Sequence, residues 1–151
     1  MIEPPILRKA LAGKRVLIDT NIIIYLTDAT PPYASLARQL FAMIEKGEVS
    51  AVFYILSIAE VVQGLIRKGE LRTAGEIKTF LLNFPNTECQ NITPAVLERI
   101  GNDPRIQWPR LRTVDSLIIA SGLSNGVQKI ISQDAHFQSA VSRELFFSFD
   151  G

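Results

Sequence analysis

Short runs of aliphatic and β-branched residues, each followed by a longer stretch of helical periodicity, recur along the chain, and this alternation limits the fold more than any other feature. Strands buried on both faces of a sheet read as uninterrupted apolar runs, whereas the helices that cover them show an apolar stripe, so the pattern calls for βαβ units around a mostly parallel sheet. Strands are predicted at Arg15–Ile18, Val49–Leu56, Val127–Ser132 and Leu145–Phe149. A weaker one falls within Asn83–Gln90, where Pro85 argues against regular pairing. Helical spacing predicts Ile22–Leu26, Ser35–Lys46, Val61–Ile66, Leu71–Leu82, Thr93–Ile100 and Val114–Leu123, with a loop over Asn102–Arg112. The expected architecture is α/β, a central sheet of about five strands flanked by helices.

The 151 residues suit one domain, 1–151, with residues 1–14 as an extension ahead of the first strand. An apolar share of 47% against 21% charged residues excludes a disordered chain. Lys and Arg (16) nearly balance Asp and Glu (15), so a nucleic-acid partner would have to be bound by a local patch rather than a global field. The single cysteine, Cys89, cannot form an intramolecular disulfide or complete a thiolate zinc site. No apolar run is long enough for a membrane span, and the proline- and charge-bearing N-terminal segment is no signal peptide. The expectation is a soluble, cytoplasmic protein.

Acids fall at telling places in this pattern. Asp19 directly follows the first predicted strand, Glu60 follows the second and Asp134 follows Val127–Ser132, while Asp115 stands in the first turn of a helix. In an open parallel sheet, ligands bind outside the carboxyl ends of the strands. Four carboxylates converging there would raise one another's pKa and could not all stay ionised without compensation, either protonation or a bound hard cation. Oxygen donors without cysteine and with scarcely any histidine suit Mg²⁺ or Mn²⁺ rather than zinc. Each acid also has an ordinary local role. Glu60 has capping-box spacing from Ser57, Asp115 favours the positive end of a helix dipole, and Asp134 can cap a turn. Asp19, which ends a short buried strand, is the one that points to a site by itself; the others argue by joint placement.

Four segments carry a more specific signal: Val16-Leu17-Ile18-Asp19-Thr20-Asn21, Ser57-Ile58-Ala59-Glu60-Val61-Val62-Gln63-Gly64, Asp115-Ser116-Leu117-Ile118-Ile119-Ala120, and Ile130-Ile131-Ser132-Gln133-Asp134-Ala135-His136-Phe137. In order and spacing they resemble the motifs of the PIN-domain family, over nearly the whole span from Arg15 to Phe149. Ser132 stands where threonine is commoner in that family, and Gln133 where asparagine is frequent.

The resemblance implies a PIN-like fold and a Mg²⁺- or Mn²⁺-dependent endoribonuclease. Within the family the chain is similar to the VapC group, toxins of toxin–antitoxin pairs. That similarity implies an RNA substrate, a cognate antitoxin and a homodimer. Asp19, Glu60, Asp115 and Asp134 become the expected metal-binding and catalytic residues. Asn21 and Ser132 would orient carboxylates or water from behind them. Arg110 and Arg112 are the first candidates for RNA phosphate contact, with Arg105 behind them, against the plain alternative that they solvate a loop. Trp108 is expected to pack rather than stack on a base, and His136 to be peripheral. The alternative reading keeps the fold and drops catalysis, leaving a module that binds RNA or protein. A phosphotransfer enzyme or receiver-like domain is weaker, because Asn21 stands where a second Asp would be needed. A Rossmann dinucleotide site fails for want of a glycine-rich first turn.

Overall fold

A computed structural model describes residues 1–151 and has five strands, all parallel: β1 (Arg15–Ile18), β2 (Ser50–Tyr54), β3 (Thr87–Gln90), β4 (Lys129–Ile131) and β5 (Phe146–Phe147), in the order β3-β2-β1-β4-β5. Eight helices wrap it: α1 (Pro4–Leu11), α2 (Thr20–Thr27), α3 (Ala34–Glu45), α4 (Ile55–Arg67), α5 (Leu71–Leu82), α6 (Pro94–Arg99), α7 (Thr113–Ser124) and α8 (Ala135–Ala140). The expected α/β architecture is therefore present.

Strand pleating divides the interior into two cores. Val16 and Ile18 of β1, Ala51 and Phe53 of β2 and Ile131 of β4 face one core, built mainly with α1 to α5. Leu17, Val52, Tyr54 and Ile130, the intervening residues, face the other, built with α7, α8 and the loop around Ile106. Each central strand is covered on both faces, which is why its sequence is uniformly apolar.

Several boundaries differ from the sequence reading. β2 stops at Tyr54 and α4 begins at once, at Ile55 rather than at the expected Val61. Ser57 thus lies inside the helix, fully buried with no hydrogen-bond partner, and the Ser57–Glu60 capping box does not form. α1 and α8 have no counterpart in the expected elements. Leu7 and Leu11 of α1, one helical repeat apart, are both fully buried, so the residues ahead of β1 contribute to the first core. The loop at Asn102–Arg112 contains a 3₁₀ turn, Trp108–Arg110, and an isolated bridge from Ile106 to Val141.

The approach of α7 to the sheet requires one glycine. A Cβ on Gly122 would stand 2.9 Å from Leu17 Cδ2 and 3.1 Å from Val127 Cγ2, closer than packed carbons tolerate. The helix backbone therefore rests directly on β1.

Candidate active site

β1 and β4 are adjacent, and both end at the same edge of the sheet. Asp19 follows β1, with its N–H still donating to the Ile131 carbonyl (3.0 Å), and caps α2. Its Oδ1 accepts from the Thr20 N–H at 2.8 Å, and its Oδ2 from the Ser132 hydroxyl at 2.7 Å. Ser132, fully buried after β4, also accepts from the Asp134 N–H at 3.0 Å. One hydroxyl thus links the two acids that follow the central strands. Asp134 caps α8 through its Oδ1, which accepts from the His136 N–H at 2.7 Å. Asn21 accepts from the Gln133 N–H at 3.4 Å.

The other two acids arrive on helices. Glu60 is exposed in the second turn of α4, and no side chain or backbone group makes a hydrogen bond of full geometry to it. Asp115, in the first turn of α7 and 5% exposed, accepts from Arg112 Nε at 3.2 Å and from the Arg112 backbone N–H at 3.4 Å. All four acids line one cleft of about 640 Å³, together with Thr20, Asn21 and Arg112 and with an apolar wall of Ile24, Val114 and Ile118.

The carboxylates feel one another. Burial pushes the Asp19 carboxyl up from 3.8 to about 6; the bonds from Ser132 and Thr20 pull it down, and the charges of Asp134 and Glu60 raise it further. Burial also raises Glu60, helped by Asp115 and opposed by Arg112 and the nearby Thr20 hydroxyl. An array that holds carboxyls above their ordinary range is short of positive charge.

No three of these side chains converge closely enough to enclose a metal ion. Three of the four have a competing attachment: Asp19 to Ser132, Asp134 to its helix, Asp115 to Arg112. The donor set nonetheless fits a hard cation, being oxygen alone and carboxylate-rich. The Thr20 hydroxyl agrees with this: it is buried beside Asp19, near enough to Glu60 to hold that carboxyl down yet without a hydrogen bond of full geometry, so it can turn to water or a ligand.

Of the expected cations, Arg112 lines the cleft, with its side chain 75% exposed. Arg110 does not; it donates to the Ser139 carbonyl at 3.3 Å. Arg105 is committed to Asp103 through Nε (3.1 Å) and Nη2 (2.8 Å). Trp108 donates to the Asp103 carbonyl at 3.2 Å and packs against the second core. His136 is exposed and lines no part of the cleft. Thr20 was not among the expected site residues, because its hydroxyl matters through Glu60, forty residues away in the chain.

Residues 16–142 match the family described as the PIN domain. No curated protein matches the chain. Among solved structures, VapBC2 from Rickettsia felis bound to a promoter DNA fragment superposes with a TM-score of 0.67 at 11% identity, covering 89% of this chain and 98% of that one. DNA-bound VapBC from Salmonella typhimurium gives 0.66 at 14% identity, over 89% and 98%. Mycobacterium tuberculosis VapC20, described as a sarcin–ricin-loop-cleaving toxin, gives 0.61 at 18% identity, over 82% and 93%. At these identities the likeness is one of fold.

Proposed function

Because the chain belongs to the PIN-domain family, we propose that it is a divalent-metal-dependent endoribonuclease and the toxin of a toxin–antitoxin pair. The observation that carries this reading is the placement of Asp19, Glu60, Asp115 and Asp134, from four separate elements, around one cleft at the carboxyl ends of parallel strands. RNA as substrate is supported by the sarcin–ricin-loop cleavage described for the tuberculosis neighbour, and an antitoxin partner by the VapBC complexes. The chain would act in the cytoplasm as a homodimer; no helix is long and apolar enough to cross a membrane. A monomeric mass by light scattering would remove the dimer.

Asp19, Asp115 and Asp134 would hold Mg²⁺ or Mn²⁺, with Glu60 ligating directly or through water. A cation bound there lowers the pKa of a water molecule and offsets charge developing on phosphoryl oxygens. Ser132 keeps the Asp19 carboxylate turned into the cleft through its 2.7 Å bond. Arg112, exposed at the rim and tied to Asp115, supplies a guanidinium for the substrate phosphate. The apolar wall of Ile24, Val114 and Ile118 shields one side of the reacting group from water. Hydrolysis would then proceed by in-line attack of water, without a covalent enzyme intermediate.

One observation favours the rival, a binding module without catalysis: the carboxylates stand apart rather than in a closed cluster. Cleavage of a mixed RNA pool with Mg²⁺, with Mn²⁺ and with EDTA, beside Asp115→Asn, separates the two. Metal-dependent cleavage lost in the variant supports the nuclease. Absence of both cleavage and calorimetric Mn²⁺ binding would leave the binding module.

A further inference from the structure

Gln133 stands between two residues committed to the cleft, and its own side chain faces away from it. Ser132 before it bonds Asp19, and Asp134 after it lines the cleft. The Gln133 amide instead engages the C-terminal segment: Oε1 accepts from the Phe149 N–H at 2.5 Å, and Nε2 donates to Asp150 Oδ2 at 3.0 Å. Asp150 is gripped in turn by the Tyr33 hydroxyl, 2.9 and 3.0 Å from its two oxygens. Tyr33 stacks on Tyr25 with ring centroids 4.9 Å apart, and Phe149 beside it is fully buried. The same loop is fastened by its backbone, since the Gln133 N–H reaches Asn21 and the Ser132 N–H donates to the Phe147 carbonyl at 3.1 Å.

We infer that Gln133 is a positioning residue: through Phe149 and Asp150 it locks the Ser132–Asp134 loop to the C-terminal segment and so sets where the Asp19 and Asp134 carboxylates stand in the cleft. A side-chain amide with both its donor and its acceptor used is confined to one orientation, and the bond to a carboxylate is charge-assisted. The Tyr33 hydroxyl holds the Asp150 carboxyl below its ordinary range, so that this acceptor stays ionised. Asparagine, one methylene shorter, would not span to both partners. The tail half of the lock, residues 143–151, lies outside the 16–142 family match. The inference rests on reading the cleft as a metal-dependent nuclease site.

The test is calorimetric Mn²⁺ titration of the full chain, with kcat and KM on RNA, for wild type, Gln133→Ala, Gln133→Asn, Asp150→Ala and the Gln133→Ala/Asp150→Ala double variant. Each single variant should bind Mn²⁺ about tenfold more weakly, the low end of what outer partners of metal ligands contribute. Their kcat, normalised to the folded fraction measured by circular dichroism, should fall while KM stays; a general loss of stability would lower only the folded fraction and would leave the Mn²⁺ affinity of the folded protein unchanged. Gln133→Asn should not rescue, and the double variant should be no worse than either single, because both break one chain of contacts. Wild-type affinity and kcat in Gln133→Ala, or additive losses in the double variant, would overturn the lock. Asp150→Ala leaves the Ser132–Asp134 loop itself unchanged, so wild-type values there overturn it equally, even if Gln133→Ala fails to fold. A wild-type protein that neither binds Mn²⁺ nor cleaves overturns the nuclease reading and this inference together; an active wild type with tolerant variants overturns the inference alone.

Discussion

The two acids that follow strands and the two that ride on helices are held in different ways. Asp19 and Asp134 share the Ser132 hydroxyl and are bonded to backbone N–H groups at fixed strand ends. Glu60 has no full hydrogen bond, and Asp115 leans on an exposed arginine. One half of the cleft is thus built by the sheet, and the other half is adjustable by side-chain movement. Burial raises one acid in each half, Asp19 on the strand side and Glu60 on the helix side, and the helix half can turn toward whatever cation or phosphate relieves it.

The sharpest break of this comparison is a pair of variants. Asp19→Asn and Asp115→Asn should both reduce RNA cleavage by more than the ~100-fold that outer partners of metal ligands carry. In EDTA their stabilities should diverge: Asp19→Asn melts higher than wild type, whereas Asp115→Asn melts lower for loss of its bonds at the start of α7. Equal melting shifts would erase the distinction.

Next comes pH. The folded Asp19 carboxyl sits at about 6 against 3.8 ordinarily, so between those values the folded state binds more protons than the unfolded. Stability of the metal-free protein should therefore fall as pH rises through that window, by about 3 kcal/mol from this group. Denaturant titrations of wild type against Asp19→Asn isolate it; parallel pH curves would show that the acid is not strained.

A smaller effect is expected from Ser132→Ala, about tenfold weaker Mn²⁺ binding, with Ser132→Thr restoring it. If Ser132→Ala binds as wild type does, the strand half is not held by that hydroxyl. Smallest is Arg112→Ala, which should raise KM for RNA and lower the slope of log affinity against log salt by about one. An unchanged slope would mean that the rim guanidinium serves Asp115 alone.

Much of this molecule was legible before its structure. Arg15–Ile18 and Leu71–Leu82 fall where the pattern put them, because one is a short strand buried on both faces and the other an amphipathic helix between clear stops. α4 was misplaced because Ser57 and Glu60 imitate a helix start inside a helix. α8 is only six residues long, with too little periodicity to register. The strand-end position of Asp19 was visible as a local pattern. The Gln133 lock was not, since its partners lie 16 and 17 residues away and Tyr33 lies 117 residues from Asp150. Arg110, next in sequence to the cleft loop, turned out to point elsewhere, which spacing alone does not reveal.

The bare contact of α7 with β1 has a mechanical meaning. Gly122 follows Asp115 by seven residues, about two helical turns, so both lie on one side of the helix. The helix is a beam resting on a bearing at Gly122, and its far end carries a carboxylate. A methyl group at the bearing acts as a shim that tilts the beam, and the tilt is amplified at Asp115. Misalignment there would be felt in turnover as well as in melting, so the seam gauges the alignment of the cleft and not only the packing beneath it.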